Sequence, residues 1–415
     1  MSQEFFLMGA IIVIGFFSMI FFERTKIPDV LFLMLLGVLL GPVFGIVDTS
    51  EASLIFSLAP FVGTLALIIL LFDGGINLNI FKVVKELGKA TSYTLVVFII
   101  TVAAIGFAMK MLLGWQLAEG LLLGAVIGGA SSAIVIPILS GIAVRDESKT
   151  LLTLESAMTD ALSIILAFLL IEIIISKTVN LSSVGNQVAS AFSIAFFIAI
   201  IFAIIWIVLL RRLYGKPFGY LLTIAVLFIL YSSVEALRGN GAIAVLVFGI
   251  LLSSMKELAK FLKVPGDFGL EDKLREFQTE VSFFVRTFFF VYMGLIISLE
   301  NVVFQVVFIS GILLALMLAS RIAGIKLLGH NFPDSHQNLL IVSMLPRGLA
   351  SAVLAFLPLQ FGINLEYFTE LVFLSIVLTN IAATVGVFYY AKDSAFGRPR
   401  IIAPSEQKYP YVKKK

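Results

Sequence analysis

Apolar residues run along this chain in blocks of about twenty, separated by short polar connections. A helix needs about 20 apolar residues to cross the hydrocarbon of a bilayer. By that measure the pattern predicts about thirteen spanning helices. They lie near 4–22, 28–47, 54–76, 90–113, 117–141, 149–175, 186–210, 218–237, 241–255, 281–299, 303–326, 337–359 and 368–391. The ninth is the shortest. The longest connection, Lys256–Glu280, mixes Lys, Glu and Asp with Pro265-Gly266 and reads as an amphipathic surface segment between two halves.

Composition agrees with the pattern. Of 415 residues, 60% are hydrophobic and 13% charged, whereas a soluble domain carries about a quarter of its residues as charges. Lipid is therefore the expected solvent for most of the surface. The first block follows an acidic start, Met1-Ser-Gln-Glu4, with no small-x-small site after it. That reads as a retained helix rather than a cleaved signal. Cysteine is absent and only His330 and His336 are present, which argues against thiolate metal sites and histidine-based hydrolysis.

The basic residues divide unequally. With alternate connections assigned to opposite sides, 23 of the 29 Lys and Arg fall on one side and 3 on the other. Positive charge collects on the cytoplasmic face. The expected topology is therefore an amino terminus outside and a carboxyl terminus in the cytoplasm.

An internal repeat is visible. Gly129-Ala-Ser-Ser-Ala-Ile-Val135 resembles Gly348-Leu-Ala-Ser-Ala-Val-Leu354 at an offset of 219, which also carries Gly75 onto Gly294. An offset of 220 carries Thr159-Asp160 onto Thr379-Asn380. Together these pair the first six helices with the last six, and a shift of seven helices inverts the second copy, as in many transporters. The expected fold is an all-α polytopic membrane protein with two inverted six-helix units. The transmembrane domain covers 1–395: one repeat near 4–175, a linker helix near 186–210 and a second repeat near 218–391. Residues 396–415 form a short basic tail.

Ionisable groups inside a bilayer are costly and so are informative. Here they are Asp73, Glu155, Asp160, Glu172, Arg286, Arg321 and Arg347. Glu172 and Arg321 lie toward helix ends, where snorkelling to the interface is expected. The sixth helix carries Glu155-Ser156-Ala-Met-Thr159-Asp160. Two carboxylates five residues apart lie about 140° apart around a helix, so one can face a cavity while the other is tied to a partner. Asp160 with the hydroxyls of Ser156 and Thr159 suits a hard cation such as sodium or potassium. Arg347 cannot deprotonate and needs a permanent anion, for which Glu155 is the expected partner. The small and proline-broken segments around Ser131, Ser132 and Pro137, and around Pro346, Gly348 and Pro358, are expected to expose backbone to an ion. Asp73 is the polar point of the third helix, either on an access path or at a helix end. For Arg286 the candidate partners are Glu280 and Asp73.

These residues together resemble the cation/proton antiporter superfamily over nearly the whole chain. Leu70-Leu-Phe-Asp-Gly-Gly75 is similar to its third-helix motif, and Glu155-Ser-x-x-Thr159-Asp160 to its Glu-Ser-x-x-Asn-Asp motif. Phe289-Phe-Val-Tyr-Met-Gly294 and Pro346-Arg-Gly-Leu349 also fit. The nearest resemblance is to the electroneutral prokaryotic sodium/proton branch. It implies a Glu155–Arg347 ion pair, with sodium or a proton bound at Asp160. It further implies a core of six helices with crossed broken segments, moving against a dimerisation domain, and hence a homodimer. Two positions depart from that branch. Thr159 replaces its Asn, and Ser131-Ser132-Ala133 replaces its Thr-Asp-Pro and looks more like the potassium-efflux branch. The expectation is an antiporter, not an enzyme, that needs no cofactor and binds no nucleic acid. It would exchange sodium, or alternatively potassium, for a proton one for one at Asp160. The rivals are a sodium-coupled carrier of an organic anion using Arg286, a channel or passive sensor, and an intramembrane hydrolase.

Overall fold

The computed structural model describes residues 2–47, 59–77, 89–176, 181–212, 221–254, 270–328 and 335–393. The 396–415 tail and most of the Lys256–Glu280 connection lie outside them. Among the described residues the chain is helical, without strands. Its helices are α1 (Ser2–Thr25), α2 (Asp29–Val38, continued by a π turn Leu39–Val43), α3 (Ala59–Asn77), α4 (Lys89–Leu112), α5 (Leu117–Gly128), α6 (Ser132–Ser140), α7 (Asp146–Ser176) and α8 (Leu181–Arg212). There follow α9 (Leu221–Ala236), α10 (Gly241–Ser253), α11 (Leu270–Leu295), α12 (Phe304–Leu327), α13 (Ser335–Ser343), α14 (Leu349–Leu354), α15 (Leu357–Gln360) and α16 (Phe368–Asp393).

Each of the thirteen expected spans has its counterpart. Two of them, 117–141 and 337–359, are broken in the middle into α5/α6 and α13/α14/α15. Six described stretches are long and apolar enough to cross a bilayer by themselves, from Thr91–Leu112 to Phe368–Ala391. Six more are shorter apolar helices. The short ninth span, α10, is almost wholly buried, so its neighbours rather than lipid surround it. One boundary differs from expectation: α11 starts at Leu270, not near 281. Its polar first turns are kept helical by contacts such as the buried Gln278, whose Nε2 donates to Ile69 O of α3 at 3.2 Å.

The outside of the bundle is apolar: Ile99, Phe107, Met111, Phe197, Ile205, Phe304 and Phe388 are exposed. The inside holds Thr94, Thr101, Ser156, Ser310, Thr379 and Asn380. That distribution suits a lipid solvent, where backbone and polar side chains must find partners inside the protein.

Packing sorts the helices into two groups. In one, α4, α5, α6, α7, α12, α13 and α16 contact one another; in the other, α1, α2, α3, α8, α9, α10 and α11 do so; α14 touches both, and α7 meets α3 and α8 across the boundary. The first group, with α14 and α15, contains six of the expected spans, including both broken ones. Within the second group, α2 crosses α11 and α3 crosses α10 at glycines. A Cβ on Gly37 would fall 2.8 Å from Gly294 Cα, and one on Gly75 would fall 3.1 Å from Gly249 Cα. Only glycine permits backbones to approach so closely. The two crossings exchange places under the repeat pairing, which matches the second helix to the ninth and the third to the tenth.

Candidate functional site

At two places the chain leaves helical geometry in the middle of the protein. Helix α5 ends where Gly129 turns extended (φ −87°, ψ 151°). Helix α6 starts after Ser131, also extended (φ −79°, ψ 118°). Residues 344–348 separate α13 from α14 in the same way. The breaks touch: Ser131 N donates to Pro346 O at 2.8 Å. A Cβ on Gly348 would lie 2.7 Å from Ser131 Cβ, so a bare residue is needed there. Gly348→Ala should force the breaks apart, an overpacking cost of roughly 1–3 kcal/mol. Thermal unfolding in detergent measures it, and an unchanged midpoint would mean that the breaks adapt freely.

A broken helix frees backbone groups that must be satisfied, and side chains supply the partners. Ala130 N donates to Thr159 Oγ1 at 3.0 Å. Arg347 N donates to Thr379 Oγ1 at 3.1 Å, and Arg347 O accepts from Asn380 Nδ2 at 2.7 Å. Ser351 Oγ donates to Val126 O at 2.7 Å. The threonines paired by the repeat, Thr159 and Thr379, thus do the same work at the two breaks.

The half-helix ends also select charges. The amino end of α6 carries a partial positive charge. There Asp160 Oδ2 accepts from Ser132 N at 3.1 Å and from Ser132 Oγ at 2.7 Å. The carbonyl end of α5 carries a partial negative charge. There the Arg347 guanidinium donates Nη1 to Gly129 O and Nη2 to Met317 Sδ at 3.2 Å.

This overturns the expected Glu155–Arg347 pair. Glu155 is held instead by Arg321 of α12. Nη1 and Nη2 donate to Oε1 and Oε2 at 2.5 and 2.8 Å, and Nε donates to Ile341 O at 2.8 Å. Both side chains are 3% exposed. Arg321 therefore does not snorkel; it is a fully inserted charge, forked onto one carboxylate. Arg347 is not bonded directly to a carboxylate; the carbonyl end of α5 supplies negative potential beside it, and Glu155 and Asp160 add to that field. Arg286 has an ion-pair partner that was not among the candidates. Its Nη2 stands 3.3 Å from Asp29 Oδ2, at the first turn of α2, an acid absent from the intramembrane group named above.

The hydroxyls of α7 are also placed otherwise than expected. Ser156 Oγ donates to Thr153 O at 3.0 Å. Thr159 Oγ1 donates to Glu155 O at 2.9 Å while serving Ala130 N. Both are buried, and their hydrogen bonds are made with backbone groups. The oxygens that accompany Asp160 come from the opposite break. A cavity of about 100 Å³ is lined by Asp160, Ser131, Ser132, Asp73 and Gly74, with Leu, Ile, Val and Ala side chains between them. The structure thus brings Asp160, Ser131, Ser132 and Asp73 together, and leaves Ser156, Thr159, Glu155, Arg347 and Arg286 off the cavity wall. A second, wider cavity of about 610 Å³ lies beyond α14, lined among others by Phe356, Gln360, Asn301, Glu366 and Glu370.

Such an arrangement can hold one small cation: a carboxylate at a positive helix end, flanked by hydroxyls, with the second acid Asp73 on the same otherwise largely apolar cavity wall. Comparison with known proteins points the same way. Residues 9–392 match the family model described as "Sodium/hydrogen exchanger, transmembrane". One similar protein is the Na(+)/H(+) antiporter 1 of Methanocaldococcus jannaschii, 29% identical over 160 residues, or 38% of this chain and 37% of that protein. Another is the K(+)/H(+) antiporter NhaP of Alkalimonas amylolytica, 26% identical over 173 residues, 41% of this chain and 29% of that protein. The matched stretches therefore span well under half the length of these relatives. In fold, the chain resembles the solved structure of the sodium proton antiporter MjNhaP1 from Methanocaldococcus jannaschii at pH 8. The TM-score is 0.72 at 18% identity, over 95% of this chain and 97% of the other.

Proposed function

This chain belongs to the sodium/hydrogen exchanger family, and on that premise we propose that it exchanges one monovalent cation for one proton at Asp160. The observation that carries the reading is the position of this carboxylate, on the amino end of α6 and on the wall of the small cavity. Cation and proton compete for it, with Ser131 and Ser132 offering further oxygens to the cation. The empty, charged site crosses less readily than a neutralised one, because moving a bare charge through low dielectric is costly. Each passage in either direction therefore carries one neutralising charge, and alternating access makes exchange obligatory.

Sodium is the first choice of cargo and potassium the second. The relatives named for sodium and for potassium leave both open, and Ser132 in place of an acid removes a charge that would favour tight sodium binding. A cation series in proteoliposomes with an internal pH dye decides between them: only the transported ions dissipate an imposed proton gradient.

In the same reading the chain sits in a prokaryotic plasma membrane, amino terminus outside, as a homodimer of two inverted-repeat protomers. The α4–α7 and α12–α16 group would move against the glycine-crossed group. An organic-anion carrier is disfavoured by the Asp29 partner of Arg286, which already engages that arginine.

Exchange is expected to be electrically silent. Glu155 is committed to Arg321, and a guanidinium stays protonated. With Asp160 as the titrating member of the cavity's two acids, one charge is shuttled either way. A potassium–valinomycin potential should neither drive cation uptake nor change its rate. A clear voltage dependence, with leak excluded, would sink the one-for-one count.

A further inference from the structure

By packing, α1 belongs with α2 and α11 in the second helix group. Its last turn nevertheless reaches the first group. Phe22 is buried in an apolar cluster whose other buried members, among them Ile134, Ile138, Leu151, Leu340 and Val387, all come from the first group. One turn further on, Lys26 follows the end of α1 with a left-handed backbone (φ 62°). Its N–H still closes the helix, donating to Phe22 O at 2.8 Å. Glycine is the usual residue at such a position, because a Cβ is strained there. The long side chain that stands in its place runs across to Gly141, the residue that ends α6. A Cβ built on Gly141 would collide with Lys26 Cε and Nζ.

The far side of this contact is shaped for it. Gly141 is buried and has an ordinary backbone (φ −97°, ψ 2°), so no turn demands a glycine there. What its missing side chain leaves is room for the lysine. The carbonyl end of α6 carries partial negative charge, which favours an ammonium. The connection after α6 is in turn bound to its own group: Tyr390 Oη of α16 donates to Ala143 O at 3.2 Å and accepts from Gln337 Nε2 of α13 at 2.9 Å. A strained lysine and a glycine that its own backbone does not require thus have one explanation in common, a bridge between the groups.

We propose that Phe22 and Lys26 form a latch between the two helix groups. It rests on the proposed exchange, in which the groups move against each other. Helix α6 presents its amino end to Asp160, so holding its other end holds the ion site in the state seen here. The latch opens once in each cycle, as the end of α6 moves away from α1, and closes on its return. Its strength sets how the protein divides its time between the two access states.

The chain lacks cysteine, which allows labels to be placed singly or in pairs. Two variants break the contact from opposite sides without threatening the fold. Lys26→Gly suits the turn better than lysine does, and Gly141→Ala displaces only the far end of a flexible side chain. Spin labels on Leu209→Cys of α8 and Leu327→Cys of α12, both exposed and one in each group, report the separation of the groups in liposomes. Each variant should shift the ratio of the two separations away from that of this structure by about two- to fivefold, the weight of one charge at a helix end. The double variant should do no more than either alone, because both remove the same contact. Unmoved ratios overturn the latch, and so do additive ones. Lys26→Cys with Gly141→Cys, bridged by a short reducible bifunctional thiol reagent, should stop exchange, and dithiothreitol should restore it. Full exchange with the bridge in place also overturns the latch. The unbridged parent reports separately on the underlying reading. If it exchanges no cation, that reading fails and the latch with it, whereas normal exchange beside unmoved ratios condemns the latch alone.

Discussion

Asp160→Asn is expected to yield a folded protein that does not exchange. The amide keeps the size of the carboxylate, and its oxygen can still accept from Ser132 N and Ser132 Oγ, which stand 3.1 and 2.7 Å from Oδ2. The α6 amino end therefore keeps a partner, and thermal stability should change little. What disappears is the negative charge that both cargo ions neutralise. A neutral amide binds neither a proton at physiological pH nor a bare monovalent cation strongly enough to strip its water. The same competition sets a sign for pH dependence in the parent protein. Raising the proton concentration should increase the apparent KM for the cation, because protons occupy the carboxylate first. Transport by Asp160→Asn at the parental rate, in vesicles where the protein is shown to be folded, would refute the mechanism.

Arg321→Ala should be the most destabilising single substitution in the protein. Its guanidinium makes a two-pronged pair with Glu155 and a third bond to Ile341 O, and both charged groups are 3% exposed. Removing one member of a buried pair strands the other charge, at a cost of roughly 3–5 kcal/mol. Glu155→Ala should cost a similar amount for the converse reason. A double variant that replaces both groups with neutral side chains of like volume, Glu155→Gln with Arg321→Met, should recover much of the loss, since no charge is then left buried. Unfolding midpoints in detergent read all three. If Glu155→Ala and Arg321→Ala prove additive in a double-mutant cycle, the two do not act as a pair.

Much of this was legible in the chain, for definite reasons. A bilayer imposes a length on every span, so thirteen apolar blocks could be counted, and Gly and Pro betrayed the two broken ones. The division of labour between two acids of one helix followed from their angular separation: Asp160 faces the cavity and Glu155 is tied to a base. The identity of that base was not legible. Choosing between Arg321 and Arg347 depends on which helix packs on which and on its rotation, and neither leaves a mark at the level of spacing. Arg347 misled for a further reason, because a helix end can replace a carboxylate and has no signature of its own in the sequence. Asp29 was overlooked beside Pro28 at the start of a span, where an acid reads as an interfacial residue. The signal available for it was the unassigned positive charge of Arg286. The hydroxyls of Ser156 and Thr159 were assigned to the ion because they neighbour Asp160 in sequence. In the folded chain, neighbours across the break displace neighbours along the helix.

The glycine crossings bear on how such a chain could have arisen. Gly37 meets Gly294 and Gly75 meets Gly249, so each contact joins the first half of the sequence to the second, and none of the four glycines is matched within its own half. A free-standing half would expose two flattened helix faces with nothing to lie against them. Its natural partner would be a second copy inserted upside down, making both crossings at once. An ancestral gene encoding one half would thus have worked only as an antiparallel pair, with monomers entering the membrane in both orientations. Fusion of two copies would then have fixed one orientation for each and freed them to differ, as Asp160 and its counterpart Asn380 do.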